Sequence, residues 1–307
     1  MSFDTSRSSG APLQSIDPAL VSELTSRRDD ALMSRIDAKA SFGPKTEEKA
    51  PASETAKATG PRKDGQRADD RATETQTAAA KKKLAAGGLT DIHLRESTVY
   101  YGQGDQRWAA YQYPKQGLQH VDRQLKDAGC APTALAMADA TVKGSETTPV
   151  DVADFAVKNG YSGKASVHGS LTDDLVHAWA AENGLQVTKA NDVDTLRAGL
   201  AEGAVAIISV GPGNFTRNGH IMVLNGYATE AKGASEPGTR PAGGEANAEK
   251  NWYFVTNSGT QFPTQRRYDS SEVVVDPSLH HGAGKVRVSE ETLSKELKYG
   301  YLITKKD

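Results

Sequence analysis

Cys130 is the single cysteine among 307 residues. It stands in Asp127-Ala128-Gly129-Cys130-Ala131-Pro132-Thr133-Ala134, where a helix is about to start. Gly129 permits a tight turn, and Pro132 suits a first helical turn because its missing N–H has no helical partner to lose there. A thiol in that position feels the positive end of the helix dipole, which favours the nucleophilic thiolate. Such chemistry also needs a base and a group that orients it. His220 opens an apolar run directly after the glycine-rich stretch Gly211–Gly219, and Asn257 closes the next one, in Val255-Thr256-Asn257-Ser258-Gly259. If the two runs are adjacent antiparallel strands, histidine and asparagine sit side by side. The imidazole can then take the thiol proton and return it to a leaving group, while the Asn amide accepts from its other ring N–H.

Each of these residues has a plain structural alternative. Cys130 has the alternative of a small core thiol, His220 of a hydrogen-bonded strand residue, and Asn257 of a turn-former beside Ser258-Gly259. Asp105 and Arg107 read as a local structural pair, and Trp108 and Trp179 as core. His168, His177, His280 and His281 have no coherent ligand spacing, so no metal site is expected. No cofactor is expected either.

The elements that must position these side chains follow from periodicity. Ser97–Tyr101 is strand-like, and Thr133–Thr141 reads as a small-residue helix closed by Gly144. Thr148-Pro149 caps a helix through Lys158, a second runs from about Ser170 to Glu182, and a third from Asp192 to Ala201. Leu185–Thr188, Ala204–Val210, His220–Tyr227 and Trp252–Thr256 read as strands, with a coreless loop over 230–250. A helix over Ser289–Lys298 and a strand over Gly300–Thr304 complete the set. Helices first and antiparallel strands later predict an α+β fold, with a helical layer packed on an antiparallel sheet.

Taken together, Tyr100-Tyr101-Gly102-Gln103-Gly104-Asp105-Gln106-Arg107-Trp108-Ala109, the Gly129–Met137 block, Gly211–Thr216 and Gly219–Tyr227 resemble the papain-like peptidase C39 group, especially its soluble C39-like branch. The resemblance covers roughly residues 97 to 260. It implies a papain-like cysteine peptidase fold, with Cys130 as nucleophile and His220 as general base. Asn257 matches the orienting position, which in the family is usually Asp; papain-type enzymes also use Asn. Ala131 stands where the family commonly has Gly. Gln124 has the spacing of the oxyanion Gln of papain-like enzymes, six positions before the cysteine; Gln103 is its competitor. An oxyanion donor typically contributes about 2.7–4 kcal/mol to barrier lowering. The resemblance implies cleavage of peptide bonds in a protein or peptide substrate through a thioacyl intermediate. The same machinery serves amidases, deamidases and acyltransferases acting on protein glutamine or peptidoglycan, and a non-catalytic binding module on the same scaffold is a third reading.

Composition bounds the rest. A hydrophobic share of 37% is low, as is a mean hydropathy of -0.57. The polar share concentrates in residues 1–88, which read as a leader and linker with almost no large apolar side chains from about 41 to 88, with a helix over 17–40 and a short helix over Ala78–Ala86 stopped by Gly87-Gly88. Order is expected from Leu89, giving a catalytic domain over 89–307. A net charge of -2 gives no case for a nucleic-acid partner. No apolar run approaches the roughly 20 residues of a membrane span, and the N-terminus has no signal-peptide core. The expectation is a cytoplasmic protein, or one exported by a route without a cleaved signal. The Ser/Thr-rich leader resembles in composition the secretion regions of bacterial effectors, which would imply a secretion chaperone as partner. An ordinary disordered tail has the same composition.

Overall fold

A computed structural model describes residues 65, 67–113, 123–163, 169–170, 172–230, 249–259, 271–275 and 285–306. The helix expected over 17–40 and almost all of the loop over 230–250 lie outside them. In chain order the elements are α1 (Glu74–Ala86), β1 (Leu89–Leu94), α2 (Leu125–Ala128), α3 (Cys130–Lys143), α4 (Pro149–Lys158), α5 (Thr172–Asn183), β2 (Leu185–Ala190), α6 (Val193–Ala201), β3 (Val205–Val210), β4 (His220–Glu230), β5 (Lys250–Thr256), β6 (Val273–Val275), β7 (Lys285–Ser289), α7 (Glu290–Glu296) and β8 (Leu297–Lys305).

The eight strands form one sheet of order β2-β8-β3-β4-β5-β7-β6, and every pairing is antiparallel. β1 pairs with the second half of β4, running on where β3 stops. Both faces of the central strands are buried, so β3 and β4 are apolar almost without interruption instead of alternating. Val205, Ile207, Ile221 and Val223 pack toward α3, α4 and α5. Ala206, Ile208, Met222 and Leu224 pack into a second cluster with Leu196 and Leu200 of α6 and Leu293 of α7. The expected single helical layer is therefore one of two, because a strand run apolar on both faces needs a cover on both.

α3 lies at the centre. Every residue from Ala131 to Thr141 is buried, which its small side chains allow by letting neighbouring backbones approach. It packs on α4 and on β3, β4 and β8. Its C-terminus turns at Gly144, in the left-handed region (φ 72°) that disfavours a Cβ.

Folded structure begins before Leu89. Thr73 and Gln76 form a reciprocal capping box at the start of α1. Ala80 and Leu84 then pack against Leu89 and Leu94 of β1 and against Trp252 and Phe254 of β5. The expected short helix over Ala78–Ala86 starts earlier, at Glu74, and about one buried apolar contact per turn suffices where a sheet face is waiting. The strand expected over Ser97–Tyr101 is likewise displaced: the strand is β1, and of the expected one Val99 alone forms a bridge, to Arg71.

The β1–β4 pairing requires Gly226. Built there, a Cβ would fall onto the carbonyl of His93 and the Cα of Leu94 across the pair. Gly226→Ala should therefore lower stability by about 1–3 kcal/mol, the usual cost of overpacking. A urea unfolding curve with an unmoved midpoint would show that β1 can give way freely.

Candidate active site

β4 begins at His220, and the residue after β5 is Asn257; the two strands are hydrogen-bonded neighbours. Asn257 is fully buried. Its Oδ1 accepts the Gly259 amide N–H at 2.9 Å and lies 2.9 Å from His220 Nε2. A backbone N–H can only donate, so the atom it meets must be the amide oxygen. His220 Nε2 must then carry a proton to approach that oxygen, and in the neutral ring Nδ1 is the basic nitrogen. One backbone bond thus sets the Asn rotamer and, through it, the imidazole tautomer.

Cys130 reaches the same strand from α3. The backbone N–H of Ile221, the residue after His220, points at the thiol sulfur, as do those of Cys130 and Ala131 at the helix start. Between Cys130 and Thr141, Cys130 alone is not fully buried. Gly129 permits the turn for a reason of space: a side chain there would collide with Leu125 as α2 passes into α3.

The electrostatics differ from the expectation for a thiol at a helix start. Burial raises the Cys130 thiol above its ordinary value. The amides of Ile221, Ala131 and Cys130 and the charge of Arg123 oppose that rise without cancelling it. Burial also lowers the His220 imidazole, with the Asn257 bond offsetting part of the drop. Both groups therefore rest neutral near pH 7, because helix-end polarity is weaker than desolvation here.

The two candidate oxyanion donors are placed differently. Gln103 is buried; its Nε2 donates to the Lys126 carbonyl at 2.8 Å and its backbone N–H to the Ser258 carbonyl at 2.7 Å. It therefore straps the Asn257–Ser258 segment to α2. Gln124 is half-buried at the start of α2, in a single bridge with Gln112, and its side chain makes no capping bond.

Three supports escaped the sequence reading. Glu296, at the end of α7, accepts from the backbone and side-chain amides of Asn214 at 2.7 and 2.9 Å, anchoring the loop that leads into His220. Gly213 leaves room for that carboxylate, since a Cβ would overlap it. Asp105 and Arg107 do pair, but Asp70 joins them: Arg107 bonds Asp70 at 2.5 and 2.7 Å and Asp105 at 2.7 Å. Burial would raise the Asp105 carboxyl, yet the Arg107 bonds and charge hold it below its ordinary value. This buried cluster fastens residues 67–71 to the loop that carries Gln103. The third is Arg123. Two charged supports lie far from their partners in sequence, and no local spacing reveals them.

Trp108 and Trp179 are core, as expected, with their indole N–H groups bonded to the Gly102 carbonyl and the Asp139 carboxylate. Among the described residues no three His, Cys, Asp or Glu side chains gather as a metal site. Nor is any described helix long and apolar enough to cross a membrane.

A central helix with cysteine at its start, laid against an antiparallel sheet of this topology, defines a papain-like α+β fold. Residues 111–258 match the model of the Peptidase_C39 like family. The matched span contains Cys130, His220, Asn257 and Gln124, and it carries a cysteine-peptidase-like character. No curated protein matches the chain.

A neutral pair has a pH signature. The alkylation rate of Cys130 by iodoacetamide should climb steadily from about pH 6 to about pH 9. A plateau beginning near pH 5 would reveal a resting thiolate–imidazolium pair instead. Asn257→Asp places a carboxylate against Nε2 and should raise the His220 titration, read by histidine ring NMR.

Proposed function

We propose that this protein is a cysteine peptidase that cleaves amide bonds in a protein or peptide substrate through Cys130, His220 and Asn257. The observation that carries this reading is the Gly259 N–H to Asn257 Oδ1 bond, which leaves His220 Nδ1 as the base. Cys130 loses its proton to Nδ1 as the sulfur attacks the substrate carbonyl carbon, and the carbonyl oxygen takes the negative charge. The Cys130 N–H and the Gln124 side-chain amide receive that charge. His220 then protonates the departing nitrogen, leaving a thioester on Cys130. Water attacks the thioester, gives a proton to His220, and the sulfur leaves with that proton restored. Because both groups start neutral, the proton moves with the attack, and excluding water in the complex strengthens each interaction involved.

Asn257 orients the imidazole but supplies no negative charge to steady imidazolium. That fits a histidine whose protonated form is already disfavoured by burial. The supporting contacts favour a working site over a bare scaffold. Glu296 and Gln103 each hold the backbone next to a proposed catalytic residue.

The test uses a peptide electrophile and a proteome-derived peptide mixture on the full chain. The wild type should be labelled at Cys130 and should generate new peptide termini. Cys130→Ala should abolish both. His220→Ala should slow turnover by about 10²–10⁴, the usual share of a general base, and Gln124→Ala should lower kcat by about 10²–10³. New termini absent, with a gain of roughly one mass unit at glutamine, would make the site a deamidase instead.

A further inference from the structure

Arg123 is 5% exposed, yet among the described residues no carboxylate holds it. Its Nε donates to the Tyr113 carbonyl at 2.8 Å and one terminal nitrogen donates to the Ser162 carbonyl at 2.5 Å. The other terminal nitrogen is buried with no hydrogen-bond partner. A guanidinium stays protonated even when burial lowers its pKa, as it does here, so a full positive charge sits inside the protein. Buried charges left without an opposite partner cost several kcal/mol and rarely persist without a use. Arg107 shows how this chain satisfies a buried arginine that has a structural job: two carboxylates grip it. Arg123 has carbonyls alone.

The ionisable groups whose charges act on Arg123 are Tyr113, whose ring it also faces at 5.1 Å, and Cys130. Tyr113 bonds Ser170 through its hydroxyl, and burial raises it far above its ordinary value, so it stays neutral. Cys130 is left as the anion this cation can meet. On β4, His220 is the other titratable group at the site, and burial favours its neutral form.

We propose that Arg123 is a positioning residue whose buried, carboxylate-free guanidinium serves as the standing counter-charge for anionic sulfur at Cys130. This rests on the reading of Cys130 as nucleophile. When the thiol proton passes to His220, the new negative charge forms inside the field of a cation already desolvated and already fixed by two carbonyls. No side chain has to reorganise to meet it. Arg123 stands next to Gln124 in the chain, and Leu125 bonds back to the Tyr111 carbonyl, so the stretch carrying the charge leads straight into the cysteine helix.

The experiment titrates the Cys130 thiol by thiolate ultraviolet absorbance in the full chain, comparing wild type, Arg123→Lys and Arg123→Met, with circular dichroism to confirm folding. Arg123→Met should leave roughly tenfold less thiolate at a given pH, one unit of upward shift, and Arg123→Lys should restore most of it. A folded Met variant with an unmoved titration, or Lys and Met variants shifted alike, overturns the inference. If Arg123→Met does not fold, reagent charge gives the answer in a protein that keeps the arginine. In His220→Gln, which removes the other group able to carry positive charge there, Cys130 should show a higher iodoacetate-to-iodoacetamide rate ratio than a small free thiol. An equal or lower ratio overturns the inference. Neither readout needs a substrate. A protein that cleaves peptides but shows an unmoved titration loses this inference alone, and one with a shifted titration that cleaves nothing loses the peptidase reading alone.

Discussion

A helix buried on every side has only its ends at which to hold a polar or reactive group. α3 is such a helix, enclosed from Ala131 to Thr141 between α4 and the sheet. Its start is one of the two places where it can offer a side chain outward, and that place holds Cys130. The rest of the site is arranged around this constraint. β4 brings an amide to the sulfur at Ile221 and a histidine one residue earlier, while β5 ends where its next residue can grip the imidazole. Enclosure that fixes the position of the thiol also desolvates it, so geometry and reactivity pull in opposite directions. Helix-end amides and the Arg123 charge push back against desolvation.

The supporting contacts share a style. Glu296 and Gln103 reach from remote segments to hold backbone groups near the candidate residues, and a local backbone amide, that of Gly259, holds the Asn257 side chain itself. Glu296 holds Asn214, Gln103 holds Ser258 and Lys126, and Gly259 holds Asn257. Fixing backbone restricts rotamers without competing for the lone pairs and protons that chemistry uses. It also means that damage at α7 or in the loop at 102–109 acts on the site without touching it.

Much of this was legible in the sequence. Helix starts at Thr148 and Asp192 carry side-chain caps, and ends at Gly144 and Gly203 carry the left-handed glycines that stop helices, so those helices read nearly to the residue. Cys130, His220 and Asn257 stand out in the sequence because each lies at the boundary of a strongly patterned element. What could not be read depended on partners distant in the chain. The sequence shows α1 only as a short helix over Ala78–Ala86 inside a linker; its docking depends on the face that β1 and β5 offer. β6 and β7 are short and join an edge already formed by β5. The net pKa direction at Cys130 was misjudged because a helix start is a local feature, whereas burial is a property of everything packed around it.

The place of β8 in the sheet bears on when the candidate site can form. This strand, at residues 297–305, lies between β2 and β3, two segments made roughly a hundred residues earlier. During synthesis β2 has no neighbour in the sheet until β8 emerges, and α3, which rests partly on β8, has an incomplete seat until then. A nascent chain therefore carries Cys130 in an unfinished setting until β8 has been made. β8 closes the middle of the sheet only after β2 and β3 have been made, so the sheet beneath the site is completed out of chain order.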